Sequence, residues 1–238
     1  RLSLESSDRT TTPRSETEAV ETFVAREVAA ALKRNGVSYL FGILGGGSSI
    51  DLVEACQGEK IPFVLVQHET SAAMMAVVCG ELTNSCGVCV SIMATGAVNL
   101  AGGATYAYLE RHPLLCISES YGAQMAPLMS IQKIDHAQTF TSYCKDTIEL
   151  HGTDPGRQID EVIGLALSER PGPILVDFPH KPVSAGSSMN QEVVEISSRI
   201  EGDLDAIADA IKGAAKPVII AGPVVLRQGA AAELIALA

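Results

Sequence analysis

The sequence predicts an α/β fold in which helices cover both faces of a parallel sheet. Six short apolar runs alternate along the chain with segments long enough to form helices, an order typical of parallel sheets. Each run is continuously apolar, as expected for strands that are covered on both faces. Apolar residues make up 47% of the 238-residue chain, which is enough to build the buried core of this architecture.

The elements follow from the local sequence. A first amphipathic helix is predicted from the capping-box spacing of Ser15 and Glu18, and it ends before Asn35-Gly36. The predicted strands are 39–41, 63–66, 88–92, 114–117, 147–150 and 174–178. The further predicted helices of this domain are 48–56, 69–83, 99–109 and 155–168.

Composition divides the chain into four parts. Residues 1–17 are rich in Ser, Thr and charge and lack apolar periodicity, which predicts a flexible leader. Residues 18–185 hold the six strands, 186–198 predict a linker, and 199–238 predict the start of a second α/β domain. Its predicted elements are a helix at 204–214, a strand at 216–222 and a helix from about 228. Because one strand cannot bury both of its faces, we expect this second domain to be truncated or completed by a partner.

Charge and hydropathy argue against several function classes. The net charge is −11 and no basic cluster is present, which disfavours nucleic acid and anionic membranes as partners. No apolar run reaches the roughly 18 residues of a membrane helix, and no signal-peptide pattern is found, so we expect a cytoplasmic protein, with an organelle as the alternative. The six cysteines are expected to be reduced. Cys86 and Cys89 lack a second ligand pair, and no metal site is predicted.

Polar segments follow the predicted strands at the edge of the sheet where this architecture binds ligands. Gly45, Gly46 and Gly47 follow the first strand and allow a close approach of the backbone, although a plain tight turn explains them as well. We expect Ser48 or Ser49 to cap the next helix.

Glu69 follows the second strand, in the first turn of a helix that is predicted to be buried around most of its circumference. The helix dipole favours its charge and burial disfavours it, so Glu69 is a candidate proton donor or hydrogen-bond partner. An ordinary N-terminal helix carboxylate is the alternative.

Two more segments complete the predicted edge. After the third strand, Thr95 or Asn99 is expected to cap a helix or bind a ligand, and Gly96 allows a tight bend; capping alone explains this segment as well. After the fourth strand, residues 118–135 predict a long loop that carries Gln132. A loop of this length is usually functional or mobile.

A dinucleotide-binding fold is one alternative. Gly45-x-Gly47 follows a strand, and Glu69 lies 22 residues beyond Gly47, where an acid would bind a ribose. Ile50 occupies the third glycine position and weakens this fingerprint. Motifs of serine hydrolases, P-loop proteins and zinc proteases are absent from the sequence.

Taken together, the segments resemble the pyrimidine-binding domain of thiamine-diphosphate enzymes, most closely the acetolactate synthase and pyruvate oxidase type. The resemblance covers about residues 18–185, and 216–238 resembles the opening of the family's middle domain. The matching segments are 36–48, 66–73, 87–90 and 95–100, supported by 111–117, 131–135 and 170–179.

The resemblance implies a role for Glu69, which would hydrogen-bond the pyrimidine nitrogen of thiamine diphosphate and so promote loss of the thiazolium proton. The ring would then accept the electrons released with carbon dioxide from a 2-oxo acid. The other implied residues are Gly45, Gly46, Thr95, Gly96 and Asn99 for cofactor binding, Gly47 and Gln132 for the substrate, and, more weakly, Lys145. The resemblance also implies Mg²⁺, a homodimer or homotetramer with the site between subunits, and FAD as an additional cofactor of related middle domains.

Three features depart from the family pattern. Leu44 stands where the family usually has proline, and Met93-Ala-Thr-Gly96 stands where it usually has Ser-Gly-Pro-Gly. The Gly-Asp-Gly and Asn signature that holds the diphosphate and magnesium in a third domain does not occur in this sequence. These departures leave open a second interpretation, a catalytically degenerate assembly subunit of the same fold, and predict that this chain alone is inactive.

Overall fold

The computed structural model describes residues 16–122, 126–180, 204–222 and 224–238. The chain divides into two units, Arg1–Asn190 and Gln191–Ala238. Most of the predicted leader and the whole predicted linker lie outside the described residues. The first helix begins at Glu16, two residues before the predicted start of the domain at residue 18.

The first unit confirms the predicted parallel sheet with helices on both faces. Its six strands are all parallel and lie in the order β2-β1-β3-β4-β6-β5. The strands are β1 Leu40–Gly42, β2 Phe63–Leu65, β3 Gly87–Ser91, β4 Leu114–Ser120, β5 Asp146–Glu149 and β6 Pro173–Pro179. The helices are α1 Glu16–Arg34, α2 Ser48–Gly58, α3 Glu69–Thr83, α4 Thr95–Leu109, α5 His136–Phe140 and α6 Pro155–Leu167.

Each face of the sheet has its own apolar core. On one face the strands pack against α1, α2 and α6, with Leu32, Leu52 and Ile159 fully buried. On the other face they pack against α3, α4 and α5, with Leu100 and Phe140 fully buried. This two-sided burial explains why the strand sequences are continuously apolar.

Close packing of α3 on α4 depends on small side chains. Gly103 of α4 faces α3, and a Cβ added to it would lie 2.3 Å from the Cβ of Ala73. The hydroxyl of Thr70 also donates to the carbonyl oxygen of Asn99, at 2.5 Å. These contacts bring the N-terminal halves of the two helices together, so that residues of their first turns can meet.

Two predictions about this unit are wrong. β4 runs on to Ser120, so the predicted loop at 118–135 begins later and Glu119 is a buried strand residue. Helix α3 is not buried around most of its circumference, because Met75, Val78 and Leu82 are exposed on its outer side. A helix that packs on one sheet buries only the side facing that sheet.

An ion pair joins the C-terminal end of α1 to α6. The guanidinium of Arg34 donates to both carboxylate oxygens of Asp160, with a shortest distance of 2.5 Å, and Asn35 donates to Asp160 at 2.6 Å. Partial burial acts to raise the pKa of Asp160, but the hydrogen bonds from Arg34 and Asn35 prevail and hold this pKa below its usual value. A carboxylate with a lowered pKa stabilises the fold above its unfolded pKa and loses that effect as the pH falls.

We therefore expect Asp160→Asn to destabilise the protein at neutral pH by no more than about 1 kcal/mol, because the pair is solvent-exposed. The difference between the variant and the unmodified protein should shrink below about pH 4, where the unfolded carboxyl is protonated. Urea unfolding at pH 7 and pH 3.5 measures both values. An equal difference at the two pH values would contradict the assigned role of the ion pair.

The second unit contains three helices in its described part, α7 Leu204–Gly213, α8 Val224–Arg227 and α9 Ala231–Leu237. The helix predicted at 204–214 is confirmed. The strand predicted at 216–222 is wrong, since these residues form no strand and Val218 and Ile220 are 85% and 93% exposed. A strand needs a neighbour to receive its backbone hydrogen bonds, and the described part of this unit offers none.

None of the helices in the described residues is long and apolar enough to cross a membrane.

Candidate functional site

The site lies at the carboxyl ends of the central strands. The chain passes from β1 outward to β2 and then returns to β3 on the other side of β1, so the connections after β1 and β3 diverge. Ligands of open parallel sheets bind at such a point of divergence. The turn after β1 carries Gly45–Gly47, and the turn after β3 carries Ala94–Gly96.

Glu69 is the first residue of α3 and is 5% exposed. His68 caps this helix, because its Nδ1 accepts from the N–H of Thr70 at 3.2 Å. One carboxylate oxygen of Glu69, Oε2, accepts from the side-chain amide of Asn99 at 3.0 Å. The other oxygen, Oε1, receives no hydrogen bond from the described residues and lies beside Gly96. Glu69 is therefore a buried carboxylate held on one oxygen only.

The turn after β3 brings the α4 terminus to Glu69. A Cβ added to Gly96 would lie 3.1 Å from Oε1 of Glu69, tighter than an ordinary contact, so glycine lets the start of α4 approach this oxygen closely. Ala94 is the N-cap of α4 and has φ 53°, a left-handed conformation that is unusual for alanine. The predicted capping by Thr95 or Asn99 is wrong, because no side chain caps α4 and Asn99 reaches across to Glu69 instead.

The glycine turn after β1 is held by Glu119, which is 3% exposed. Its Oε1 accepts from the N–H groups of Gly47 and Ser49, each at 3.1 Å, and from the hydroxyl of Ser49 at 2.5 Å. The predicted capping of α2 by Ser48 or Ser49 is therefore wrong. The Ser48 hydroxyl donates to the carbonyl oxygen of Phe178 at 2.8 Å, and Ser49 Oγ accepts from the N–H of Gly45 at 3.2 Å.

The two turns meet at the side chain of Ile92. A Cβ added to Gly45 would lie 2.7 Å from Ile92 and 2.3 Å from Oε2 of Glu119. A Cβ added to Gly96 would also lie 2.7 Å from Ile92. The structure therefore brings Gly45, Gly96 and Glu69 close to Ile92. Glu119 lies beside the turn after β1, and Glu69 lies beside the turn after β3.

Two other predicted residues do not join this group. Gln132 is exposed with φ 51°, and its side chain makes no hydrogen bond to the residues that the structure describes. Lys145 directly precedes β5 and so lies at the opposite edge of the sheet, where its ammonium donates to the carbonyl oxygen of Leu165 at 2.5 Å and to Ser168 Oγ at 2.8 Å. Burial lowers the pKa of Lys145. The predicted role of Lys145 in the substrate site is therefore wrong. Its ammonium instead binds oxygens at the C-terminal end of α6.

The remaining predicted cofactor residues flank the two turns. Gly46 is exposed, and an added Cβ would meet no atom within 4 Å. An added Cβ at Gly47 would lie 1.9 Å from Nε2 of His180, so the turn passes directly beneath that ring. Thr95 is exposed beside Gly96.

Sequence reasoning missed two buried polar residues of the site, Glu119 and His136. His136 is 5% exposed, its Nε2 accepts from the N–H of Ala94 at 3.1 Å, and its Nδ1 lies 2.6 Å from Asp177. The alternation of Ser118, Glu119 and Ser120 directly after the apolar run of β4 is a signal that could have revealed Glu119. No cluster that could hold a metal ion occurs in the described residues.

Comparison with known proteins gives the same fold class. Residues 23–139 match the family model described as thiamine pyrophosphate enzyme, N-terminal TPP binding domain. An acetolactate synthase of Arthrospira platensis is 29% identical over 217 residues, which cover 86% of this chain and 38% of that protein.

Two further relatives carry the same kind of name. The large subunit of acetolactate synthase isozyme 2 of Escherichia coli is 26% identical over 83% of this chain and 37% of its own length. A chloroplastic acetolactate synthase of Nicotiana tabacum is 31% identical over 71% of this chain and 27% of its own length. The chain thus spans less than two fifths of the length of each of these proteins.

Proposed function

Residues 23–139 form an N-terminal TPP binding domain of the thiamine pyrophosphate enzyme type, and on that premise we propose that this chain is part of a 2-oxo acid carboligase or decarboxylase of the acetolactate synthase type. Within this enzyme, the described domain supplies the glutamate that activates the cofactor pyrimidine. The names of the acetolactate synthase relatives support the reaction class.

The state of Glu69 is the observation that carries this proposal. Its Oε2 is fixed by Asn99, whereas Oε1 is free of hydrogen bonds from the described residues and lies beside Gly96. A carboxyl that is shielded from water and has one oxygen to offer suits a short hydrogen bond to a ring nitrogen. The bond from Asn99 fixes the direction in which Oε1 points, and this direction is needed for the transfer of a proton at a defined atom.

We propose that a flat heteroaromatic ring binds beside Glu69, where the two turns meet. Glycines let both turns pack closely there, since an added Cβ at Gly45 or Gly96 would lie 2.7 Å from Ile92. Thiamine diphosphate supplies the electron sink for decarboxylation of a 2-oxo acid when it is bound. Thr95, Gly96 and Asn99 would line its pyrimidine, and Gly47 would lie toward the substrate.

The diphosphate and Mg²⁺ need charge-neutralising ligands, and the described residues contain no cluster that could hold the metal ion. We propose that another part of the full-length protein holds them, and that FAD, if the enzyme uses it, binds outside the described domain. Gln132 remains a proposed substrate residue, since its exposed position leaves it free to contact a ligand.

A second copy of the chain is the proposed partner at this site. Met75, Val78 and Leu82 form an exposed apolar stripe on the outer side of α3, at spacings of three and four residues. Leu109 at the end of α4 is also 70% exposed. Such apolar side chains on neighbouring helices are typical of an interface between subunits, which supports a homodimer or homotetramer.

The hydrogen bonds of Glu119 disfavour the dinucleotide-binding alternative. A dinucleotide places its diphosphate on the N–H groups at the start of the helix after the first strand. In this chain the N–H groups of Gly47 and Ser49 already donate to Glu119, and Glu69 is bonded to Asn99. These N–H groups are therefore not available to a diphosphate.

We expect the full-length protein to bind thiamine diphosphate with Mg²⁺ and to show no binding of NAD in isothermal titration calorimetry. NAD serves as the matched control because it also carries a diphosphate and an aromatic ring. Binding of NAD with comparable affinity would contradict the proposal and favour the dinucleotide-binding fold.

Turnover of pyruvate by the full-length protein, with thiamine diphosphate and Mg²⁺, tests the reaction class. We expect carbon dioxide release, and addition of a second 2-oxo acid should give a carboligation product. Binding of the cofactor without turnover of pyruvate or of a panel of 2-oxo acids would favour the degenerate assembly subunit. The departures from the family pattern at Leu44 and 93–96 are the sequence features that support this alternative.

A further inference from the structure

His136 stands where three segments of the first unit meet. It is the first residue of α5, directly after the segment 126–135 that carries Gln132. Its ring reaches the turn after β3 through Ala94 and reaches β6 through Asp177. We propose that His136 and Asp177 form a positioning pair that fixes the turn 94–96 and, through α4, the carboxylate of Glu69; the second part of this inference rests on the proposed function.

The hydrogen bonds define which ring nitrogen carries the proton. The N–H of Ala94 can only donate, so Nε2 of His136 must be the acceptor and carries no proton. The proton therefore lies on Nδ1, which donates to Oδ1 of Asp177 at 2.6 Å. The carboxylate of Asp177 holds the imidazole in the one neutral tautomer that can accept from the turn.

The turn needs such a partner. Ala94 has φ 53° and ψ −100°, a conformation that L residues other than glycine rarely adopt. No side chain caps α4, so His136 supplies the side-chain contact that holds the backbone N–H at this position. A strained backbone conformation persists only where its surroundings determine it, and here a buried side chain from another element does so.

The turn is connected directly to the catalytic carboxylate. Gly96 lies two residues after Ala94 and borders Oε1 of Glu69, and Asn99 lies one turn further along α4 and donates to Oε2. A displacement of the first turn of α4 therefore moves both contacts of Glu69. It also changes the position of Ile92, which borders the glycine turn after β1.

Three variants of the full-length protein separate the two hydrogen bonds of the ring. His136→Gln places an amide oxygen at the position of Nε2 and can keep the bond from Ala94. His136→Asn reaches only the position of Nδ1, so it keeps the contact with Asp177 and loses Ala94. Asp177→Asn preserves shape, but its amide can donate to Nδ1 and so favours the tautomer that cannot accept from Ala94.

Hydrogen exchange measured by mass spectrometry on a peptide covering 93–100 reports the turn directly, with or without cofactor. We expect exchange at Ala94 to be about tenfold faster in His136→Asn and Asp177→Asn and to change less than about twofold in His136→Gln. His112→Gln is the control: its ring pairs with Glu81 at 2.8 Å, after the C-terminal end of α4, and its loss should leave the peptide unchanged.

Calorimetric titration of the same variants with thiamine diphosphate tests the connection to the site. We expect the affinity to fall about tenfold in His136→Asn and to be largely retained in His136→Gln, in parallel with exchange. Unchanged exchange in His136→Asn and Asp177→Asn would overturn the inference, and faster exchange with unchanged affinity would overturn the connection to Glu69. If the unmodified protein binds no thiamine diphosphate, the proposed function fails, while the exchange result still decides whether His136 holds the turn.

Discussion

Replacing Glu69 by glutamine in the full-length protein is expected to lower kcat by at least about 100-fold, the scale on which a positioned proton-transfer group acts. Glutamine keeps the shape of the side chain and can still accept from Asn99, but its amide cannot exchange a proton with a ring nitrogen as a carboxyl does. Steady-state turnover of pyruvate measures the effect. The circular dichroism spectrum and thermal midpoint should stay close to those of the unmodified protein.

Glu54→Gln is the matched control, because Glu54 is an exposed carboxylate on the outer side of α2. Its turnover should equal that of the unmodified protein. If Glu69→Gln also retains full turnover, Glu69 has no role in activating the cofactor. If the unmodified protein has no turnover although it binds thiamine diphosphate, the degenerate assembly subunit is the better description.

Gly103→Ala is expected to destabilise the first unit by about 1–3 kcal/mol, the usual cost of forcing extra atoms into a packed interior. The added Cβ would lie 2.3 Å from the Cβ of Ala73 and 3.2 Å from the carbonyl oxygen of Thr70. Neither atom belongs to a flexible side chain, so α4 must move away from α3. Chemical unfolding monitored by circular dichroism measures the loss.

The control for this substitution is Gly164→Ala in α6, where an added Cβ meets no atom within 4 Å. Alanine there should be neutral or stabilise by up to about 1 kcal/mol, because it is the better helix former. Equal stabilities of the two variants would contradict the close approach of α3 and α4. Movement of α4 should also weaken the bond from Asn99 to Glu69, so Gly103→Ala should reduce turnover even at temperatures where it remains folded.

Much of the fold can be predicted from the sequence because its strands are covered on both faces. All six strands, and helices α2, α3 and α6, lie within a few residues of their predicted places, since continuous apolar runs of strand length alternate with segments long enough for a helix. α4 begins four residues before its predicted start. Its N-cap is Ala94 with a positive φ, and an alanine in the sequence does not indicate that conformation.

The polar part of the site could be predicted only where the residues are close to strand ends. Glu69 and the glycines follow strands directly, so topology alone brings them together. Glu119 and His136 act on backbone N–H groups 72 and 42 residues away in sequence, and contacts of this kind leave no local pattern. The predicted strand at 216–222 is wrong because local sequence alone cannot show whether a neighbouring strand exists. Its composition is apolar as in a strand, but the described residues of this unit contain no strand with which it could pair.

Glu119 determines the electrostatics at the start of α2, because its Oε1 accepts from the N–H groups of Gly47 and Ser49. The partial positive charge of that helix end is already compensated from within the domain, and no lysine or arginine in the described residues forms an ion pair with Glu119 or Glu69. Two buried carboxyl groups thus lie beside the two turns of the site. For the proposed 2-oxo acid substrate, we expect the neutralising positive charge to come from residues outside these two turns.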